Sequence, residues 1–272
     1  PWAAPGGGRA PSPGSRARRR ATMLYPFLRP ALFALDPERA HGIAFAALDA
    51  AAKSGLARFV APALPRDPVR VMGIDFPNRV GLAAGLDKDA AHLAGLATLG
   101  FGFLEAGTGT PRPQPGNPKP RMFRLPKADA LINRLGFNNG GVERYVANVR
   151  ASGYRGILGC NIGKNAVTPN DRAVDDYLAC LAAVAPVASY VTVNVSSPNT
   201  KGLRDLQSEE ALDALLARVV EARDERVQEL GRALLLAIKI APDLESDAIR
   251  GIARVLVARR VEGRGHHHAE AA

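Results

Sequence analysis

Tyr190-Val191-Thr192-Val193-Asn194-Val195-Ser196-Ser197-Pro198-Asn199 holds the two features on which the fold turns. Its first half is a near-continuous apolar run of strand length, the pattern of a strand buried on both faces of a parallel sheet. Its second half breaks at once into asparagine and serine, and Pro198 stops any ladder. The same switch recurs on either side. Val80 to Asp87 is an apolar run ending at Asp87 and Lys88, and Phe103 to Thr108 ends at Thr108. Ile157 to Gly163 carries Asn161 and leads to Lys164, and Leu234 to Ile240 carries Lys239. Longer amphipathic stretches lie between them: about 90–99, from Thr168 onward, from the N-cap Ser208 through Leu212, Leu215, Leu216 and Val219, and 244–259. Strands alternating with helices in this way predict an α/β fold built on a parallel sheet. Polar residues at the ends of many strands favour a (β/α)8 TIM barrel, which gathers its site at the C-terminal ends of its strands. An open doubly wound sheet would concentrate ligand groups at one switch point. No Gly-x-Gly-x-x-Gly opens a helix, so the dinucleotide fingerprint is missing.

Outward from these repeats the pattern changes at both ends. Residues 66–262 read as an incomplete barrel of about five repeats. Residues 23–65 read as a small helical extension: Asp36 and Pro37 form an N-cap with proline at the first helical position, and Gly55 closes the helix. Leu35, His41, Ile43, Ala44, Ala47 and Leu48 fall near one face of it, and 61–68 is a Pro-rich linker. Residues 1–22 hold Arg9, Arg16, Arg18, Arg19 and Arg20 and no acid, which is half of the chain's +10 charge. Such a tail cannot bury a core and is expected to be disordered, with Met23 the expected true start. A nucleic-acid arm is the weaker reading, and no nucleic-acid partner is expected. Residues 263–272 show no strand pattern. Shifted by one base, codons for Gly263 to His268 can encode Gly-Val-Val-Ile-Thr-Thr, so this tail is expected to be aberrant and out of frame. Its three consecutive histidines have no neighbouring acid or cysteine, so no metal is expected.

Composition bounds the rest. Hydrophobic residues at 47% and charged ones at 23% exclude a mainly disordered or fibrous chain. No apolar run reaches the length of a membrane span. Two cysteines cannot build a disulfide scaffold and fit a reducing compartment.

Asparagine offers one acceptor and two donors, so Asn194 and Asn199 together suit a planar ligand with amide or imide groups. Taken alone, Ser196 to Asn199 is also an ordinary turn. Asn133-Arg134-Leu135-Gly136-Phe137-Asn138-Asn139 adds a second amide cluster, readable equally as a loop turning at Gly136. Five prolines between Pro111 and Arg124 make a connection long enough for a lid or binding element. Lys88 and Lys239 both point toward the barrel mouth, where the partner is a phosphate, a carboxylate or a protein acid.

Together these stretches resemble dihydroorotate dehydrogenase of the membrane-associated, quinone-dependent class, over about Met23 to Glu262. The motifs stand in the family's order: Ala84-Gly85-Leu86-Asp87-Lys88, Gly107-Thr108, Pro111 to Asn117, Asn133 to Asn139, Asn161 to Asn165, Asn194 to Asn199 and Ile238-Lys239. The resemblance implies FMN at the barrel mouth, touched by Ala84, Gly85, Leu86, Asp87, Lys88, Thr108, Asn161, Asn194 and Lys239. It implies dihydroorotate contacts at Lys88, Asn133, Arg134, Leu135, Gly136, Phe137, Asn194 and Asn199. Ser197 matches the family's base, where the soluble classes carry cysteine. A serine hydroxyl is a poor base near neutral pH and must pass its proton onward. The implied reaction is oxidation of dihydroorotate to orotate in de novo pyrimidine synthesis, with a hydride passing to FMN and then electrons to a quinone. His41 and Arg124 match positions lining the quinone pocket. Leu24 to Leu28 and the His41 helix resemble the element that forms the quinone tunnel and touches the membrane, so peripheral attachment on the cytoplasmic side of the cell membrane is expected.

The chain departs from the family at its sixth strand, where a threonine-asparagine-threonine run is expected near 267–269 and His267, His268 and Ala269 stand instead. The Gly-rich loops that hold the FMN phosphate belong after it. Without them two strand edges are unpaired and flavin affinity is expected to fall. The alternative is therefore a catalytically inactive barrel fragment that no longer holds flavin.

Overall fold

The computed structural model describes residues 26–57, 67–261 and 263–265. The basic tail, Met23 to Tyr25, most of the linker and the histidine run lie outside the described residues.

Six parallel strands form the frame: β3 (Gly81–Leu82), β4 (Phe103–Gly109), β7 (Ile157–Ile162), β8 (Tyr190–Asn194), β9 (Leu235–Lys239) and β10 (Gly263–Gly265). Their spatial order is β10-β9-β8-β7-β4-β3, so neighbours in space follow one another in the chain, with a hairpin interposed between β4 and β7. The intervening helices are α3 (Leu93–Ala97), α4 (Val142–Ser152), α5 (Ala173–Val184), α6 (Glu209–Leu230) and α7 (Ser246–Ala258). Gly81 of β3 and Lys239 of β9 line one cavity of about 500 Å³, so the sheet curls around its inner face as a barrel wall does. Two antiparallel hairpins are added, β1 (Val69–Val71) with β2 (Ile74–Phe76) and β5 (Met122–Leu125) with β6 (Ala130–Asn133).

The expected strands at Phe103, Ile157, Tyr190 and Leu234 are all present, shortened by a residue or two at an end or, for the first, extended to Gly109. Three expectations differ from the structure. The run from Val80 contributes only Gly81–Leu82 to the sheet, because Gly85 takes φ +116° and turns the chain across the strand ends. Gly263–Gly265 pairs in parallel with Ala237–Lys239, so backbone hydrogen bonding extends the sheet into a segment whose side chains gave no strand pattern. The Pro-rich connection leads into the β5–β6 hairpin, and its Gln114 and Gly116 line a cavity. The inward face of the N-terminal helix also differs from the expected one.

Helix α1 (residues 26–34) and helix α2 (Pro37–Lys53) precede the sheet. Asp36 caps α2 as expected, its carboxylate accepting from the backbone N–H of Glu38 and Arg39 at 3.0 and 3.1 Å. Ala40 and Phe45 are the residues α2 buries, whereas Ile43, Ala44 and Ala47 face outward. The helix lies on α3 so closely that a Cβ at Gly95 would stand 2.6 Å from the Asp49 carboxylate.

Helices α5 and α6 cover the outer face of the sheet with Tyr177, Leu181, Val184, Leu212, Leu216 and Val219, all buried. Ser208 caps α6, accepting from the N–H of Ala211 at 3.3 Å. Inside the barrel, glycines make room for aromatic rings: a Cβ at Gly81 would lie 2.0 Å from the Phe103 ring, and one at Gly159 2.3 Å from the Tyr190 ring. Large side chains on one strand thus fill the gaps left by none on the next, as barrel layers require.

Candidate active site

The C-terminal ends of β4, β7 and β8 bring three of the expected residues into direct contact. Thr108 Oγ1 donates to Asn161 Oδ1 at 2.6 Å, and Asn194 Nδ2 donates to Thr108 Oγ1 at 2.8 Å and to Asn161 Oδ1 at 3.2 Å. All three are buried. They can meet because Gly107, at φ +120°, sits against the Asn161 carbonyl, where a Cβ would come within 2.3 Å. Lys239 stands in register with Asn194 on the next strand. Its ammonium has no hydrogen bond or ion pair among the described residues, and burial lowers its pKa against the opposing pull of Glu105. A half-buried cation left unpaired by the protein is suited to an anionic or electron-rich ligand.

The loop after β3 supplies the second cation. Lys88 donates to the Gly85 carbonyl at 2.6 Å and has no ion pair among the described residues. Burial lowers its pKa, and the Arg121 charge adds to the shift. Asp87 is buried in the turn that leads into α3, accepting from the N–H of Ala91 and His92 at 3.0 and 2.8 Å. Burial nonetheless raises its pKa. Ala84 is half-buried, while Gly85 and Leu86 are exposed on the same loop.

A neighbouring cavity of about 420 Å³ is lined by Gln114, Gly136, Phe137, Asn165 and Asn199 among others. It unites three of the expected substrate contacts. Asn133, Arg134 and Leu135 behave differently. Asn133 is exposed at the end of β6, and the Arg134 guanidinium donates to the Pro120 carbonyl at 2.9 Å. The Leu135 carbonyl accepts from Asn117 N–H at 3.0 Å. Arg134 and Leu135 therefore build the loop through their contacts with 117 and 120. Ser197 is half-buried, its hydroxyl accepting from Asn199 N–H at 3.2 Å.

His41 and Arg124 belong to different environments. The His41 ring meets Phe45 edge-on at 4.5 Å, and Phe45 stacks on His92 at 4.1 Å. Burial lowers the His41 pKa, with the Lys88 charge second. Arg124 caps the end of α1, donating to the carbonyls of Leu35 at 2.7 Å and Phe33 at 3.2 Å. It lines a cavity of about 470 Å³ with Arg29, Phe33 and Leu131, and His41 is absent from that lining.

Several residues that shape the site were not singled out from sequence. Arg121 is buried and clamps Glu38, Pro115 and Asn117. Gln114 bridges Phe137 O and Ala166 N–H, at 2.8 and 2.9 Å. Glu105 accepts hydrogen bonds from three neighbouring strand residues inside the barrel. A carboxylate interrupting an apolar strand was the legible signal for Glu105. Arg121 and Gln114 look like ordinary loop residues.

The sequence profile described as "Dihydroorotate dehydrogenase" matches residues 68–263. The chain belongs to the dihydroorotate dehydrogenase family. Among curated relatives, the "Dihydroorotate dehydrogenase (quinone)" of Thiobacillus denitrificans is 61% identical over 240 residues, covering 88% of this chain and 71% of the relative. That of Janthinobacterium sp. is 58% identical over 246 residues, covering 89% and 71%. Among solved structures, DHODH from Eimeria tenella in complex with ferulenol has a TM-score of 0.71 at 36% identity, covering 84% of this chain and 65% of that one. The ligand-free form gives 0.71 at 38%, covering 84% and 68%. The chain thus spans about two thirds of those solved chains, and the likeness carries the TIM-barrel fold of the family with it.

Proposed function

We propose that this chain serves the oxidation of dihydroorotate to orotate, with FMN as the bound flavin and a quinone as the final electron acceptor. The observation that carries the reading is the buried Thr108–Asn161–Asn194 cluster flanked by Lys88 and Lys239, two cations that form no ion pair among the described residues. Amide and hydroxyl groups beside an ammonium suit the polar edge of a flavin ring, and an open loop backbone at Ala84–Gly85 leaves room for its face: a Cβ at Gly85 would meet nothing within 4 Å. Thr108, Asn161, Asn194 and Lys239 would hold that ring, with Ala84 to Lys88 along its side. When bound, FMN supplies the acceptor for the hydride leaving C6 of the substrate.

The remaining work falls to the chain's own residues. Lys88 would take the substrate carboxylate, and burial strengthens that attraction by excluding water. Asn194 and Asn199 are the amides suited to the imide edge of the ring. Ser197 Oγ is the group to remove the C5 proton, which it must hand on because serine is so weak a base. Gln114 holds the Phe137 loop through the Phe137 carbonyl.

On the quinone side, α1 and α2 leave Phe27, Leu28, Phe33 and Ile43 at 81%, 55%, 40% and 50% exposure. Such an apolar surface suits peripheral attachment to the cytoplasmic face of the membrane. Among the described residues no helix is long and apolar enough to cross a membrane. His41 and Arg124 flank this region and are the proposed quinone-facing residues. The fragment alternative draws no support from the relatives, which carry the catalytic name.

Stopped-flow reduction of the FMN-loaded protein by dihydroorotate tests the assignment. Ser197→Ala is expected to slow flavin reduction by about a hundredfold or more while FMN stays bound. An unchanged reduction rate would remove Ser197 from the mechanism.

A further inference from the structure

Glu105 sits on β4 one layer below the cluster just described. Its Oε1 accepts from Asn161 Nδ2 at 2.8 Å, and its Oε2 accepts from Tyr190 OH at 3.0 Å and Thr192 Oγ1 at 3.1 Å. A carboxylate accepts and does not donate, so the side of the Asn161 amide facing Glu105 must be its NH2. The Asn161 oxygen is thereby turned toward the barrel mouth. Thr108 has one hydroxyl proton, and it goes to that oxygen. The lone pairs of Thr108 Oγ1 are then free to accept from Asn194 Nδ2. With its NH2 so committed, Asn194 presents Oδ1 to the N–H and hydroxyl of Ser196, at 3.0 and 2.8 Å. Each link fixes the direction of the next, and the last one holds the segment that bears Ser197.

We propose that Glu105 is a positioning residue that sets, from inside the barrel, the hydrogen-bond direction of Asn161, Thr108 and Asn194 and so the donor pattern offered to the flavin ring. The inference rests on the flavin reading above. Removing the acceptor frees the Asn161 amide to rotate by half a turn, and the chain then has two arrangements of similar energy in place of one. Glutamine keeps the direction: its oxygen can face Asn161 while its NH2 faces Tyr190 and Thr192, whose hydroxyls rotate and accept.

The test is FMN titration of the flavin-stripped protein, followed by quenching of flavin fluorescence, with circular dichroism on each variant. Glu105→Met, close in volume, is expected to weaken FMN by about tenfold, and Glu105→Gln to stay within about threefold of the unmodified protein. Asn161→Asp sets two carboxylates against each other and is expected to weaken FMN by about tenfold or more. Adding Glu105→Gln to it restores a donor opposite the new carboxylate, so the double variant is expected to recover about tenfold over Asn161→Asp alone. A merely structural role for Glu105 predicts no such recovery. Glu105→Met binding as tightly as the unmodified protein would overturn the proposal. So would a double variant no tighter, or no better folded, than Asn161→Asp. Failure of the unmodified protein to take up FMN would instead overturn the function on which the inference stands.

Discussion

Arg121→Met tests how the N-terminal element is fastened to the barrel. Arg121 is 8% exposed, and its guanidinium donates to both oxygens of Glu38, at 2.6 and 3.2 Å, and to the carbonyls of Pro115 and Asn117, at 2.6 and 3.0 Å. One side chain therefore joins α2 to the loop that carries Gln114 and Asn117. Methionine preserves most of the apolar stem but strands one carboxylate and two carbonyls, a loss of about 3 kcal/mol. Lys119 also reaches Glu38, at 3.0 Å, but its side chain is 68% exposed and offsets little of that.

The same contact makes stability depend on pH. Hydrogen bonding to Arg121 outweighs burial and holds the Glu38 pKa down at about 2, against 4.5 for an ordinary glutamate. A folded-state value below the unfolded one contributes stability that is complete above the unfolded pKa and disappears as pH falls through the folded one. Between about pH 6 and pH 3 linkage alone gives a loss of about 2 kcal/mol, and solvent screening at this rim position trims it to about 1. Urea unfolding of both proteins at the two pH values is the assay. The Arg121→Met deficit is expected to be about 3 kcal/mol at the higher pH and about 1 kcal/mol smaller at the lower. A deficit under about 1 kcal/mol, or one of equal size at both pH values, would refute the reasoning.

Gly159→Ala places a Cβ 2.3 Å from the Tyr190 ring, and urea unfolding is expected to show a loss of about 1–3 kcal/mol as that ring is displaced. Ser208→Ala removes the cap of α6 and is expected to lower stability by about 1 kcal/mol in the same assay. Burial pushes the Cys160 thiol up to about 12 and raises that of Cys180 as well, so neither is expected to react with a thiol reagent at mildly alkaline pH until the chain is unfolded. Quantified release of the reagent's chromophore in native and denaturing buffer checks this.

Strands β4, β7, β8 and β9 were legible because each is apolar on both faces for most of its length, and burial on both sides leaves no other reading of so short a run. The site was legible for a related reason. Thr108, Asn161 and Asn194 are polar groups at the ends of such strands, where they bond to one another, to Glu105 and to Ser196. What escaped was whatever depends on the third dimension. The inward face of α2 is chosen by Phe45 stacking on His92, and periodicity alone pointed to Ile43, Ala44 and Ala47. The β1–β2 hairpin is two three-residue strands, too short for a pattern. Arg134 fell within a motif that resemblance assigns to substrate, yet its guanidinium is spent on the Pro120 carbonyl and the Phe123 ring. Strand β10 is specified by pairing with β9, which no side-chain pattern at 263–265 announces.

The most direct trial of the account is an anaerobic visible spectrum of the purified chain saturated with FMN, before and after dihydroorotate and then after a soluble quinone. Bleaching of the flavin band by dihydroorotate and its return with quinone is the predicted result. A flavin band that dihydroorotate leaves untouched, or a chain that takes up no FMN, would contradict it.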